Sequence, residues 1–203
     1  MYNDLQHIKG PAMNPVNHKS LATILGQSFN EMLSSINKQQ ELTIHAVERQ
    51  IIQPLGFKTV ICSIASSSFK LNMLLHFPLD SLAAKNFMSL IHIDTSRDVQ
   101  LQYQDYISEL TNSLCGSANR ILGVCGFSTG MSTPVTLQIT NSTFHMNAIA
   151  PGSEAHIGCF LNDNPLIFAS LYLFINQGFE NSLLITVPEF GIATENSGEL
   201  EFF

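Results

Sequence analysis

The chain has 203 residues, of which 45% are hydrophobic and 12% are charged, so it carries enough apolar material for one sizeable core. Lysine and arginine together number 9 in a chain of formal net charge -7, without a basic cluster, which argues against a nucleic-acid partner. Four cysteines without a CxxC pair, no signal-peptide pattern and no apolar run near the roughly 20 residues that cross a bilayer predict a reduced cytoplasmic protein with no membrane span.

The first half of the chain alternates between helical and strand patterns. Residues 1–18 lack a hydrophobic period and predict a loose N-terminal arm. From Ser20, a candidate N-cap, apolar residues recur every three or four positions and predict an amphipathic helix with one buried face. Apolar and β-branched runs within residues 41–77 predict three strands, the last two joined by a turn at Ser66–Ser68.

The second half repeats this order of helical material followed by strands. A helix is predicted to begin near Asp80 or Ser81, and a second helix has its periodic part between residues 98 and 122. Strand-like segments follow at residues 135–139, 144–148, 155–161 and 166–175. Residues 177–203 hold five glutamates and no basic residue, which predicts an acidic C-terminal extension with an ordered first half and a frayed end.

One face of the helix at residues 98–122 is polar. At 100° per residue, five residues fall within about 80° of one another: Asp105, Glu109, Asn112, Gly116 and Asn119. Glycine inside a helix costs about 1 kcal/mol relative to alanine, so Gly116 on an exposed stripe suggests close approach by another molecule. The same stripe is also typical of the solvated side of an ordinary amphipathic helix.

The residues of this stripe resemble the signature of the CheX and CheC family of chemotaxis phosphatases. That signature is an acidic or serine residue, three residues, Glu, two residues, Asn, and a proline about 22 residues further on. Asp105, Glu109 and Asn112 match it, and Pro134 follows Asn112 after 21 residues, one fewer than usual, as in a shortened loop. The resemblance extends from about residue 20 to residue 175. It implies an α+β domain over residues 19–176, with a mixed or antiparallel sheet packed against long helices.

The resemblance also implies a function. Members of this family dephosphorylate the aspartyl phosphate of a response-regulator receiver domain such as CheY. Asn112 would orient the hydrolytic water, Glu109 would pair with the receiver lysine, and Asp105, Gly116 and Asn119 would contact the partner. The chain would need no cofactor of its own because the receiver supplies Mg²⁺, and its single motif implies a CheX-like homodimer. The alternative is a non-catalytic adaptor that binds a receiver through the same helix.

The sequence contains two other candidate motifs. Gly126–Gly130 fits the G-x-S-x-G string of serine hydrolases, with Asp163 and either His145 or His156 as further triad members. That fold needs a strand before the serine and a helix after it, whereas here a helix precedes and a strand follows, so a hydrolase is disfavoured. His145, His156 and Cys159 lack the spacing of metal ligands, so no metal site is predicted.

Overall fold

The computed structural model describes residues 15–34, 36, 42–52, 58–78, 85, 87–89, 99–137 and 153–188. In chain order its elements are α1 (Pro15–Ser34), β1 (Leu42–Ala46), α2 (Arg49–Ile52), β2 (Lys58–Ala65), β3 (Phe69–Phe77), α3 (Val99–Val124), β4 (Gly130–Met131), β5 (Val135–Leu137), β6 (Ser153–Leu161) and β7 (Asn164–Ile175). No helix among the described residues is long and apolar enough to span a bilayer.

Over these residues, seven strands form one antiparallel sheet in the order β1-β6-β7-β3-β2-β4, with β5 also paired to β2. Successive side chains of a strand point to opposite faces, and on β3 alternate apolar residues such as Met73 enter the main core. Buried residues of α1 and α3, including Phe29 and Leu114, belong to the same core. The two long helices therefore cover one face of the sheet, which confirms the predicted α+β architecture.

Helix α1 begins earlier than predicted. Its first residue is Pro15, so the predicted arm of residues 1–18 includes the start of the helix and Ser20 is not its N-cap. Proline is well suited to a first helical position because its φ is already helical and its missing N–H would have no partner there. The hydrophobic period that marks the buried face begins only at Leu21, and for that reason the sequence placed the boundary too late.

Part of the predicted C-terminal extension is built into the domain. The Asn17 side chain donates from Nδ2 to the Leu183 carbonyl (3.1 Å) and accepts from the Ile185 N–H at Oδ1 (2.9 Å). The Ser20 hydroxyl donates to the Ile185 carbonyl (2.5 Å). Leu183 and Ile185 are buried in the main core, although residues 183–188 form no strand. Polar side chains of α1 thus satisfy the backbone groups that a sheet would otherwise satisfy.

Two hairpins join the central strands. The predicted turn at Ser66–Ser68 is confirmed, since the Ser66 N–H donates to the Phe69 carbonyl (2.9 Å) between β2 and β3. The β6–β7 hairpin turns at Asn162 and Asp163, whose φ values of 49° and 62° are those of a tight two-residue turn. The predicted strands at 155–161 and 166–175 are therefore one hairpin. The strand predicted at 144–148 lies outside the described residues.

A chain of polar side chains crosses the sheet on the face opposite the helices. Thr59 Oγ1 lies 2.9 Å from His76 Nδ1, and Ser170 Oγ lies 3.0 Å from His76 Nε2 and 2.8 Å from His156 Nδ1. His156 Nε2 faces the Glu154 carboxylate at 3.6 Å. In these contacts each imidazole nitrogen donates or accepts according to the histidine tautomer, and each hydroxyl can do either. Thr59, His76, Ser170 and His156 thus link the four neighbouring strands β2, β3, β7 and β6.

Burial, reinforced by the neighbouring His156, lowers the pKa of His76 to about 3. An exposed histidine titrates near 6.5, so between these pH values the unfolded chain binds a proton that the folded protein does not. We predict that the free energy of unfolding falls as the pH drops below about 6.5, by up to about 1.4 kcal/mol per pH unit. Above about pH 6.5, His76 should not change the free energy of unfolding.

Urea unfolding between pH 5 and pH 7.5, above the usual range of carboxyl groups, measures this slope. His76→Gln should flatten it, whereas the substitution His45→Gln, at an exposed histidine of β1, should not. Equal slopes for wild type and His76→Gln would show that His76 is not the group responsible.

Candidate functional site

Helix α3 is held in one rotational setting by its apolar face. Tyr103, Ile107 and Leu114 are buried against the sheet or beside α1. The Tyr103 hydroxyl donates to the Pro78 carbonyl (2.9 Å) and so gives its polar end a partner inside the core. Because these contacts occupy one side of the helix along its length, the opposite side must face outward.

The three residues of the motif lie on that outward side. Asp105, Glu109 and Asn112 are exposed, and Leu110 between them is buried. None of the three side chains has a hydrogen-bond or ion-pair partner within the described part of the chain. The predicted arrangement of this face is confirmed, and the roles assigned to the three residues remain predictions. A carboxylate and a carboxamide one turn apart are thus exposed together on the helix surface.

Gly116 is one turn further along the same stripe. Outside its immediate helical surroundings, a Cβ placed on it would meet no atom of the described residues within 4 Å. The packing of this chain therefore does not require glycine, although glycine costs helix stability there. What the missing side chain leaves is an open, flat stretch of helix beside Asn112.

Asn119 ends the stripe, and the structure gives its side chain a contact within the protein. The Thr129 hydroxyl donates to Asn119 Oδ1 (2.6 Å), which ties the loop after α3 back onto the helix. Asn119 is only partly exposed. Its assignment as a partner-binding residue remains a prediction, and the contact adds a structural role that the sequence did not indicate.

The segment before Pro134 is fixed to strand β2. Ser132 donates its N–H to the Ser63 carbonyl (2.8 Å), and Ser132 Oγ accepts from the Ser63 N–H (2.9 Å). Pro134 follows between the short strands β4 and β5, which both pair with β2. Proline is tolerated between strands because no sheet hydrogen bond from its missing N–H is needed there. The motif's helix and its downstream segment therefore adjoin one another along β2, with the Thr129–Asn119 hydrogen bond between them.

An ion pair beside the stripe was missed by the sequence analysis. Glu31 of α1 accepts hydrogen bonds from Ser117 and Arg120 of α3 and so links the two helices. The Glu31 and Arg120 side chains are more than half exposed, so the pair contributes at most about 1 kcal/mol. Only tertiary structure brings residues so far apart in the chain together, and no local pattern signals it.

The two disfavoured motifs have other structural roles. Gly126–Gly130 forms a loop from α3 into β4, and Asp163 lies in the β6–β7 turn, so no strand–serine–helix elbow exists. His156 belongs to the polar chain on the opposite sheet face, and Cys159 lies in the main core. His145 is outside the described residues. Among those described, no group of three His, Cys, Asp or Glu side chains could hold a metal ion.

Comparison with known proteins gives the fold. No protein-family model matches the chain, and no curated protein matches it. Among solved structures, a chemotactic CheC-like protein from Shewanella oneidensis is similar, with a TM-score of 0.58 and 15% identity over 76% of this chain and 98% of its own. The chemotaxis protein CheX from Vibrio vulnificus gives a TM-score of 0.57 and 17% identity over 76% of this chain and 99% of its own.

A third similar structure is a complex. CheX from Borrelia burgdorferi, in a complex with CheY, BeF₃ and Mg²⁺, gives a TM-score of 0.54 and 13% identity over 78% of this chain and 98% of that chain. The chain therefore spans nearly the full length of each of these proteins. It has the fold of the CheX and CheC-like chemotaxis proteins.

Proposed function

We propose that this protein is a phosphatase for the aspartyl phosphate of a receiver domain of the CheY type, with Glu109 and Asn112 as its working residues. The observation that carries the proposal is that both side chains are exposed and without a partner in the described structure, on one face of a helix whose other face is buried. The fold, shared with a CheX that forms a complex with CheY, supports the choice of partner.

Asn112 is proposed to hold the attacking water. Hydrolysis of an aspartyl phosphate requires a water in line with the phosphorus and the leaving carboxylate oxygen. The water oxygen bonds to phosphorus, the P–O bond to the aspartate breaks, and carboxylate and inorganic phosphate are released. A neutral carboxamide can accept and donate hydrogen bonds to that water without adding negative charge beside the phosphoryl oxygens.

Glu109 is proposed to dock the receiver. It lies one helical turn before Asn112, so a lysine beside the receiver's phosphorylation site that pairs with Glu109 would fix the register of Asn112 over the phosphorus. Asp105 continues the same stripe and would add polar contacts. Mg²⁺ is assigned to the receiver, as the resemblance to the CheX and CheC family implies.

We further propose that the protein is a homodimer in the cytoplasm, as the single motif and its resemblance to CheX suggest. The expected result of light scattering at micromolar concentration is about twice the chain mass of 22.4 kDa. A mass near 22.4 kDa across the concentration range would exclude the dimer.

The central prediction is that Asn112 and Glu109 act on different steps. Asn112→Ala should slow receiver dephosphorylation on the order of 10²-fold or more, because a water-positioning group acts in the transition state. Its affinity for the receiver should stay within a few-fold of wild type. Glu109→Ala should instead weaken binding by roughly 2 to 5 kcal/mol, because it breaks an ion pair at a partly desolvated interface, and should slow turnover mainly through that loss.

The experiment mixes the protein with phosphorylated receivers encoded in the same genome. Phosphate loss gives the rate, and binding to a receiver carrying beryllofluoride gives the affinity. Glu48→Ala, which removes an exposed carboxylate away from α3, serves as the matched control and should change neither value. If wild type accelerates no cognate receiver, or Asn112→Ala is as fast as wild type, the phosphatase mechanism is wrong and a receiver-binding adaptor takes its place.

Gly116→Ala separates folding from docking. The new methyl group has open space around it, so the free protein should become more stable by up to about 1 kcal/mol. If a receiver packs closely on this stretch of helix, its affinity should fall at least about tenfold, roughly 1.4 kcal/mol.

Gly26→Ala is the matched control, because Gly26 lies inside α1 and its added Cβ also meets nothing within 4 Å. It should raise thermal stability by a similar amount without affecting receiver affinity. Unchanged receiver affinity in Gly116→Ala would remove Gly116 from the docking surface.

A further inference from the structure

The charged residues of helix α3 all lie on its outward face, and the proposed phosphatase reaction leaves one of them without a role. The helix holds three charged residues, Asp105, Glu109 and Arg120, and all three are exposed. At 100° per residue, Arg120 is about 60° from Asp105 and about 20° from Glu109 around the helix axis. The face is therefore acidic at one end and basic at the other, with Asn112 between them.

Arg120 is oriented by a contact with the neighbouring helix. Its Nη2 donates to Glu31 Oε1 of α1, and the other carboxylate oxygen of Glu31 accepts from the Ser117 hydroxyl. Ser117 is buried, so the Glu31 carboxylate is held by a group that is fixed in the helix packing. The Arg120 side chain nevertheless remains 63% exposed. Since a guanidinium has five N–H donors, Arg120 can bind a second carboxylate without leaving Glu31.

Arg120 lies within reach of a partner that is centred on Asn112. The two residues are eight positions apart, which is about 12 Å along the helix axis. An interface of standard size covers about 800 Å² on each partner, which corresponds to a disc about 16 Å in radius. A receiver that places its aspartyl phosphate over Asn112 would therefore cover Arg120 as well as Glu109.

We propose that Arg120 is a second docking residue, which pairs with a carboxylate on the receiver and so helps to select the receiver. The role rests on the proposed function of α3. Glu109 is eleven positions earlier, about 16 Å along the helix axis. A receiver that pairs with both residues must present a lysine and a carboxylate separated by about that distance. A receiver of the opposite polarity would bring like charges together at both ends, which costs affinity.

The hydrogen bond to Glu31 prepares Arg120 for this contact. Immobilising a long charged side chain at an interface costs conformational entropy, and Arg120 has lost part of that freedom in the free protein. The ion pair itself contributes little to stability because both side chains are more than half exposed. Its loss should therefore leave the fold intact, so substitution of Arg120 can test the docking role.

The test measures the affinity of the full chain for a receiver carrying beryllofluoride at two ionic strengths, with the thermal midpoint of each variant recorded. Arg120→Gln should weaken binding about threefold to tenfold, and Arg120→Glu at least about tenfold, because the first removes and the second reverses the charge. Both losses should shrink at the higher ionic strength, where salt screens the ion pair. The dephosphorylation rate at saturating receiver should not change, because Arg120 is remote from the reacting phosphorus.

Two control variants separate docking from folding and from net charge. Glu31→Gln breaks the same ion pair as Arg120→Gln but keeps the cation, so affinity should stay within about threefold of wild type. Lys70→Glu changes the net charge as Arg120→Glu does, at an exposed position of β3 between two core residues that face the helices, and it should leave affinity within about twofold of wild type. Equal losses in Arg120→Gln and Glu31→Gln, or in Arg120→Glu and Lys70→Glu, would overturn the proposal.

The docking role and the phosphatase function can fail separately. If wild type dephosphorylates a receiver and Arg120→Glu binds that receiver as wild type does, the phosphatase stands and the role of Arg120 is refuted. If no receiver is dephosphorylated but Arg120→Glu still weakens receiver binding, the docking role stands and the phosphatase function fails. If no receiver binds wild type, both are wrong. If Arg120→Glu instead dissociates a dimer in light scattering, Arg120 belongs to the contact between two copies and the proposal is overturned.

Discussion

The burial of one face of α3 against the sheet is the constraint on which the candidate site depends. Ile107 and Leu114 are fully buried, and removing each such side chain from water is worth about 1.5 to 3 kcal/mol. Turning the helix by one residue's angle would expose this surface and carry Asp105 or Glu109 toward the core, where an unpaired carboxylate is costly. Hydrophobic packing thereby sets the outward direction of the motif more firmly than any polar contact does.

Strand β2 connects the other parts of the site. Its inward residues belong to the core under α3, its edge pairs with β4 and β5, and Ser63 exchanges two hydrogen bonds with Ser132. Cys62, the neighbour of Ser63, donates to the Ser132 carbonyl and lies in the same core as Cys115 of α3. The strand thus adjoins both the motif helix and the segment before Pro134.

The far face of the sheet follows a different rule. Buried polar atoms need partners, and hydrogen bonds here link Thr59, His76, Ser170 and His156 across four strands, while Glu154 lies 3.6 Å from His156 Nε2. The two functions of the sheet are thus divided by side-chain alternation. The helix-covered face lies under the candidate site, and the opposite face buries His76, whose pKa is lowered by that burial.

The sequence by itself determined the features that depend on local periodicity. The angular step of a helix places Asp105, Glu109 and Asn112 on one face whatever the rest of the chain does, and strand patterns predicted the central sheet. Tertiary structure alone decided that Ile185 joins the core through α1, and that Glu31 of α1 pairs with Arg120 of α3. These contacts join residues more than 50 positions apart, so they depend on which surfaces the folded chain brings together, and a local pattern cannot encode that choice.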